Sequence, residues 1–160
     1  MQAGNGQAPR TARLRINASA YELLQAQEGG WTQLAVLPRG ASALLDTGHC
    51  VTEAGLEQAI QLSEDWLMPH AQRLRGEWLE VEDLAGRLRP GLRETLDATG
   101  SEWSVVAFEQ LFLQLVDRIT GRQPPGWALT RAAFIADVVL VRELAHHGQV
   151  QGIRLHEDTP

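Results

Sequence analysis

The chain begins its regular patterning with an alternation of apolar and charged residues. Within ARLRI (12–16), Leu14 and Ile16 alternate with two arginines, which predicts a strand with one face in the core. Two further apolar runs, TQLAVL (32–37) and SALLD (42–46), are short and are joined by a turn-forming Pro-Arg-Gly-Ala segment. They predict a β-hairpin.

Helix signals lie on either side of this hairpin. Ser19 and Glu22 stand three residues apart, as in a capping box, which predicts a short helix over Ala20–Gln27. Thr52 is typical of the residue before a helix and predicts one from residue 53 to about residue 68.

The second half of the chain has the longer helical patterns. Leucines at four-residue spacing (84, 88, 92 and 96) predict a helical stripe, which Pro90 divides into two shorter helices. Ser101 precedes the most apolar segment, and we expect that segment to be the central buried helix. A last helix is expected over residues 130–147, followed by a strand in VQGIRLH (150–156).

These elements predict an α+β fold. A small antiparallel sheet, made of the N-terminal strand, the hairpin and the C-terminal strand, would pack on a cluster of four or five helices. Residues 1–10 are rich in Gly, Gln and Pro and are predicted to be a disordered tail, which leaves residues 11–160 as a single α+β domain.

Three features of the sequence predict a cytoplasmic protein. No apolar run is long enough to span a bilayer, and the N-terminal residues lack the pattern of a secretory signal. The one cysteine, Cys50, excludes an internal disulfide.

The net charge is −6, and the acidic residues are concentrated in the middle of the chain. An acidic surface repels nucleic-acid phosphates and anionic lipid, so we expect neither nucleic acid nor membrane as a partner. A basic protein, or a second copy of the chain in a homodimer, is the expected partner.

The stretch ALLDTGHC (43–50) carries the first candidate chemistry. With the preceding hairpin it resembles the N-terminal portion of a retropepsin-like aspartic peptidase, in which a strand pair leads into an apolar-apolar-Asp-Thr-Gly element. The resemblance implies that Asp46 is one of two catalytic carboxylates that meet across a homodimer and share a proton. The alternative is a turn between a strand and a capped helix. We favour the turn, because that family is almost entirely β whereas the sequence after Thr52 is helical.

A candidate metal site lies near the end of the last predicted helix. Glu143 is three residues before His146 and four before His147, so either pair can face one divalent transition metal. The HHGQ ending is similar to the metal-bearing helix of DinB-like bundles, a family that uses a His-x-x-x-His pair and a third histidine. The sequence offers three other histidines: His49, His70 and His156. Alternatively, the two histidines simply favour the negative end of the helix dipole.

Tryptophans near segment ends suggest an interface. Trp31, Trp78 and Trp127 stand beside glycines or charges, where an indole can be half exposed and contact a partner. The sequence has no phosphate-binding glycine loop and no Gly-x-Ser-x-Gly element. We therefore expect a non-catalytic protein-binding, adaptor or regulatory protein without a cofactor. The alternative is a metal-dependent enzyme or metal-binding protein that uses Glu143 with His146 or His147.

Overall fold

The computed structural model describes residues 10–121 and 131–156. The strands are β1 (Thr11–Ile16), β2 (Ala20–Gln27), β3 (Gly30–Pro38), β4 (Trp78–Asp83), β5 (Glu102–Trp103) and β6 (Gly152–Leu155). The helices are α1 (Ala41–Leu44), α2 (Glu53–Leu67), α3 (Ala71–Leu74), α4 (Leu88–Leu96), α5 (Val105–Thr120) and α6 (Ala132–His147), and a 3₁₀ turn over Met68–His70 joins α2 to α3. Residues 1–9, most of the predicted tail, lie outside the described ranges.

The strands form one six-stranded mixed sheet in the order β3-β2-β1-β4-β6-β5. The pairs β1–β2, β2–β3 and β5–β6 are antiparallel, whereas β1–β4 and β4–β6 are parallel. The predicted small antiparallel sheet is therefore wrong. Parallel neighbours need long crossover connections, and here the helices α1–α3 and α4–α6 lie in those two connections.

The segment predicted as the first helix is strand β2. Tyr21 and Leu23 are buried while Glu22 faces the other side of the sheet, which is the two-residue period of a strand. The side chain of Glu22 accepts hydrogen bonds from Asn17 and Arg15. Glu22 therefore stands three residues after Ser19 because its side chain contacts β1 across the β1–β2 turn, and not because it caps a helix.

The predicted second hairpin strand, residues 42–46, is wrong as well, because helix α1 (Ala41–Leu44) takes up most of this segment. Gly40 adopts a positive φ of 56°, which glycine tolerates best, and the chain leaves the sheet there. A Cβ atom at Gly40 would lie 3.0 Å from the backbone nitrogen of Ala20. The buried Leu44 and Leu45 join the core, and α1 contacts α6.

The predicted helix after Thr52 is confirmed as α2, and the Thr52 side chain accepts a hydrogen bond from the Gly55 amide.

Helices α4 and α5 differ from the prediction in where they begin. Pro90 does not divide a helix, because it lies in the first turn of α4, where its missing N–H is not needed. Helix α5 is capped by Ser104 and not by Ser101.

The central helix of the fold is α6. Twelve of its 16 residues are buried, and it contacts α1, α2, α4 and α5. Helix α5 buries only Phe108, Phe112 and Leu115, so the expectation that it would be central is wrong. Helix α5 has polar side chains along one side, which faces solvent. The sequence FIADVVLV in α6 is apolar almost all round, which is typical of a fully buried helix.

The two faces of the sheet differ in chemistry. In β1 the buried Ala12, Leu14 and Ile16 face the helices. The alternate residues carry ion pairs across the parallel strands, with Arg13 Nη2 2.7 Å from Glu80 Oε2 and Arg15 Nε 3.1 Å from Glu82 Oε2. Strand β6, the predicted C-terminal strand, is confirmed and joins this sheet beside β4.

None of the helices in the described ranges combines the length and the hydrophobicity needed to cross a lipid bilayer.

Candidate metal centre

Three side chains from two helices converge near the C-terminal ends of α2 and α6. Glu64 comes from α2, and Glu143 and His147 come from the last turns of α6. Their ligand atoms all lie within 4.8 Å of one another. His147 Nε2 is 3.1 Å from Glu64 Oε1 and 3.1 Å from Glu143 Oε2. Two carboxylate oxygens and one imidazole nitrogen thus surround one point.

Helical spacing explains how these residues meet. Glu143 and His147 are four residues apart and therefore lie on one face of α6. On α2, Leu56, Ile60 and Glu64 form a row at four-residue spacing, and this helix packs along α6. Sequence reasoning missed Glu64. The sequence signal that could have identified Glu64 was a carboxylate that continues the apolar row of Leu56 and Ile60 at four-residue spacing.

The carboxylate of Glu143 is held in an unusual environment. The residue is 0% exposed. Its Oε1 accepts a hydrogen bond from Arg142 Nη1, whereas its Oε2 accepts no hydrogen bond among the described residues and has the imidazole of His147, 3.1 Å away, as its polar contact. A buried carboxylate oxygen that accepts no hydrogen bond is costly. Since Oε2 points at His147 and Glu64, the oxygen is available to a cation.

The guanidinium of Arg142 connects this site to α5. It donates to both carboxylate oxygens of Glu109, at 2.7 Å from Nε and 3.0 Å from Nη2. These hydrogen bonds lower the pKa of Glu109 below its usual value, and they also raise the pKa of Arg142. Both groups are therefore charged near neutral pH.

The charges and donor atoms fit a divalent metal ion. Three carboxylates against one guanidinium leave two uncompensated negative charges when the imidazole is neutral. The negative ends of α2 and α6 add to the attraction for a cation, and carboxylate with imidazole is a donor set that suits first-row transition metals. The expectation that no cofactor is needed is not supported. In the described part of the chain, this is the one group of three such side chains within reach of a common ion.

The other predicted metal ligands lie elsewhere. The His146 ring is exposed and meets the His147 ring edge-on, with the ring centroids 5.1 Å apart. His49, His70 and His156 do not belong to the group. The structure therefore pairs Glu143 with His147 and takes the third group from Glu64.

Asp46, the residue of the peptidase resemblance, lies in an exposed turn after α1. Its side chain accepts a hydrogen bond from the Gly48 amide at 2.9 Å and lies 2.6 Å from His49 Nδ1. These contacts, the Gly48 amide first, lower the pKa of Asp46 below its usual value. A helix, and not the strand of that resemblance, precedes this aspartate.

Two of the three predicted interface tryptophans lie on the charged face of the sheet. Trp31 is 39% exposed, and the Arg13 guanidinium lies 4.1 Å from its ring centroid. Trp78 is half-buried, with the Arg154 guanidinium 4.6 Å from its ring. Trp127 falls outside the described residues. An interface at these tryptophans stays a prediction.

A second polar cluster lies by the carboxyl ends of β1 and β4. Asp137, wholly buried in α6, accepts a hydrogen bond from the Tyr21 hydroxyl at 2.6 Å and two from Arg87, at 2.7 and 2.9 Å. Burial raises the pKa of Asp137 to about 6, although the hydrogen bonds from Arg87 act in the opposite direction. Burial, then the charge of Asp137, raises the pKa of Tyr21 well above its usual value. Because these groups satisfy one another, the cluster acts as a buried link between sheet and helices.

No protein-family model matches the sequence, and a search of curated proteins finds no match.

Solved structures, in contrast, share the fold over nearly the whole chain. A Ppx/GppA phosphatase from Aquifex aeolicus matches 96% of this chain with a TM-score of 0.64 at 10% identity. An exopolyphosphatase from Cytophaga hutchinsonii also matches 96%, with a TM-score of 0.61 at 14% identity. An exopolyphosphatase-like protein matches 98%, with a TM-score of 0.60 at 10% identity. This chain spans 55–57% of their lengths.

This likeness corrects the functional expectation. The predicted non-catalytic protein-binding or adaptor role is wrong, and so is the inclination to exclude an enzyme, because the chains that share the fold are named as phosphatases and exopolyphosphatases. The alternative, a metal-dependent enzyme that uses Glu143, agrees better with this finding. At these identities the likeness shows the fold alone, and this fold resembles about half the length of the Ppx/GppA phosphatase chains.

Proposed function

We propose that the protein is a divalent-metal-dependent phosphatase whose ion is held by Glu64, Glu143 and His147. The observation that carries the proposal is the convergence of these three ligand atoms within 4.8 Å in a chain with the Ppx/GppA fold. A bound divalent ion polarises a phosphoryl oxygen and lowers the pKa of a coordinated water.

The charge of the site explains why a cation is required. Without one, the two uncompensated negative charges would repel a phosphate group. A bound ion would supply the positive charge that attracts the phosphate of the substrate. The side chains of Glu64 and His147 are 32% and 28% exposed, which leaves one side of the site open to solvent and to a phosphate.

The three ligands have different tasks. Glu143 is buried and fixed by Arg142, so it would hold the ion from the buried side of the site. Glu64 and His147 close the site from two helices, and His147 Nε2 is oriented towards both carboxylates. The distance between α2 and α6 therefore determines how the three ligand atoms are arranged around a bound ion.

The test is phosphate release by chelator-treated protein, supplied in turn with Mn²⁺, Zn²⁺ or Mg²⁺. The substrates are p-nitrophenyl phosphate and inorganic polyphosphate, which separate monoester from phosphoanhydride hydrolysis. Glu143→Gln and His147→Ala should each lower kcat/KM by about 100-fold or more, since the ion contributes several kcal/mol to the transition state.

A matched control uses the histidine–carboxylate pair at the protein surface. His49→Ala removes a histidine that also lies beside a carboxylate, and it should leave phosphate release unchanged. Absence of phosphate release with every ion, or equal release with and without chelator, would overturn the proposal.

We also propose that the protein acts in the cytoplasm. Its single cysteine is exposed and free, which suits a reducing compartment. Fractionation of cells that produce the full chain tests this location.

A further inference from the structure

We propose that Arg142, fixed by Glu109, is a positioning residue that aims Glu143 at the metal ion. This inference rests on the metal centre of the proposed function. It assigns a task to two residues that do not themselves reach the ion.

The planar guanidinium of Arg142 donates hydrogen bonds to two different carboxylates. Nε and Nη2 both donate to the carboxylate of Glu109, which is the bidentate arrangement of a strong arginine–carboxylate pair. Nη1 donates to Glu143 Oε1. The guanidinium also lies 4.8 Å from the ring centroid of Phe112. The arginine is thus held by α5 before it acts on its neighbour in α6.

The contact with Arg142 fixes the direction of the other carboxylate oxygen of Glu143, Oε2. Because Oε1 is bound to Arg142, rotation of the carboxylate is restricted, and Oε2 stays directed at His147 Nε2, 3.1 Å away. Loss of the Arg142 contact would leave a wholly buried carboxylate free to turn. Groups that orient a ligand in this way commonly change metal affinity by about 10–100-fold when they are removed.

Lysine cannot replace arginine in this role. Its ammonium group is a compact charge without the planar fork that binds two carboxylates at fixed angles. Arg142→Lys therefore keeps the charge of the site but removes the orientation. Glu109→Gln leaves both Arg142 and Glu143 in place and weakens only the support from α5.

The experiment is a titration of the metal-free full chain with Co²⁺, followed by visible absorption. The intensity and position of the Co²⁺ bands report the ligand set and its geometry, and the titration gives Kd. We expect Kd to rise about 10–100-fold in Arg142→Lys and by a smaller factor in Glu109→Gln, with altered band intensities in both variants. A role confined to folding would leave the bands of the bound ion unchanged.

The control is a second arginine–glutamate pair, on β5 and β6. Arg154 Nε lies 2.7 Å from Glu102 Oε1, the same distance as in the Arg142–Glu109 pair. Glu102→Gln should retain the wild-type Kd and spectrum.

The outcomes separate the two proposals. Wild-type Kd and bands in both Arg142→Lys and Glu109→Gln would overturn the positioning role while leaving the metal centre intact. A wild-type protein that takes up no Co²⁺ would overturn the metal centre and the positioning role together. If Arg142→Lys fails to fold, as judged by circular dichroism, Glu109→Gln alone decides the matter.

Discussion

At the level of single residues, the protonation of the buried Asp137 makes stability depend on pH. Burial raises its pKa from 3.8 to about 6, so the native state binds this proton more tightly than the unfolded chain does. Between about pH 4 and pH 6 the native state therefore holds more protons. The contribution of Asp137 to the free energy of unfolding falls as the pH rises through that interval.

This behaviour can be measured against Asp137→Asn, which has no proton to lose at that position. Two pKa units correspond to about 3 kcal/mol. Part of this change lies below pH 4, so the wild-type free energy of unfolding should fall by about 2 kcal/mol relative to that of Asp137→Asn between pH 4 and pH 7. Urea unfolding at each pH gives both values. A difference that stays constant with pH would contradict the raised pKa.

Residue patterns predicted the candidate metal ligands only in part. Glu143 and His147 share one helix, and their four-residue spacing predicted that the two side chains lie close together, as they do here. Glu64 is 79 residues away from Glu143 in the numbering of the chain, and only the packing of α2 along α6 brings it close. Spacing within one helix cannot supply a ligand from another, and the search among histidines overlooked a carboxylate.

At the level of elements, the starts of helices offer a direct test of the corrected boundaries. Ser104 Oγ accepts the Ala107 amide hydrogen bond at 3.0 Å, so Ser104→Ala should lower the free energy of unfolding by about 1 kcal/mol. Ser101, the residue predicted as the cap, lies before the short strand β5. Ser101→Ala should change the value by less than about 0.5 kcal/mol. Larger destabilisation by Ser101→Ala would argue against the observed start of α5.

A close approach between α4 and α6 gives a second test at this level. A Cβ atom at Gly91 would lie 2.2 Å from Cδ2 of Phe134. Alanine usually stabilises a helix interior by about 1 kcal/mol relative to glycine, but the clash should reverse the sign. We expect Gly91→Ala to cost about 1–3 kcal/mol.

The double variant with Phe134→Leu isolates this contact. When the ring is shortened, Gly91→Ala should cost clearly less than it does in the wild-type background, which a double-mutant cycle in denaturant measures. Equal costs in both backgrounds would mean that the ring is not what opposes the methyl group.

Several elements were predictable from local pattern, and others were not. β1, α2 and β6 carry strong alternation, a capping residue or a clear apolar face, and these were found. β2 was mistaken for a helix because Ser19 and Glu22 mimic a capping box, while the strand character depends on pairing with β1 and β3. The parallel β4 was not predicted, since its pattern is made by neighbours that come from distant parts of the chain.

For the molecule as a whole, metal binding should appear as added thermal stability. An ion that binds only the native state stabilises it by about 2.7 kcal/mol at a free concentration of about 100 times Kd. In a domain of this size that corresponds to a rise in Tm of about 5–10 °C. Differential scanning calorimetry with Mn²⁺ or Zn²⁺, and then with excess chelator, should show the rise and its reversal.

Glu143→Gln serves as the matched variant for this measurement. It keeps the size of the side chain and one acceptor oxygen for Arg142 but replaces the other oxygen by an NH2 group and removes the ligand charge, so its Tm should not respond to the ion. An equal rise in Tm in the variant would indicate that the ion binds somewhere else.

The apolar character of α6 also has a consequence for protein synthesis. This helix is made after the sheet strands β1–β5 and the other helices, and it supplies the surface on which α1, α2, α4 and α5 meet. Until α6 leaves the ribosome, the apolar faces that it later covers stay open to water and to chaperones. A chain stopped after Thr120 should therefore be recovered with bound chaperone or as aggregate, whereas the full chain should be released.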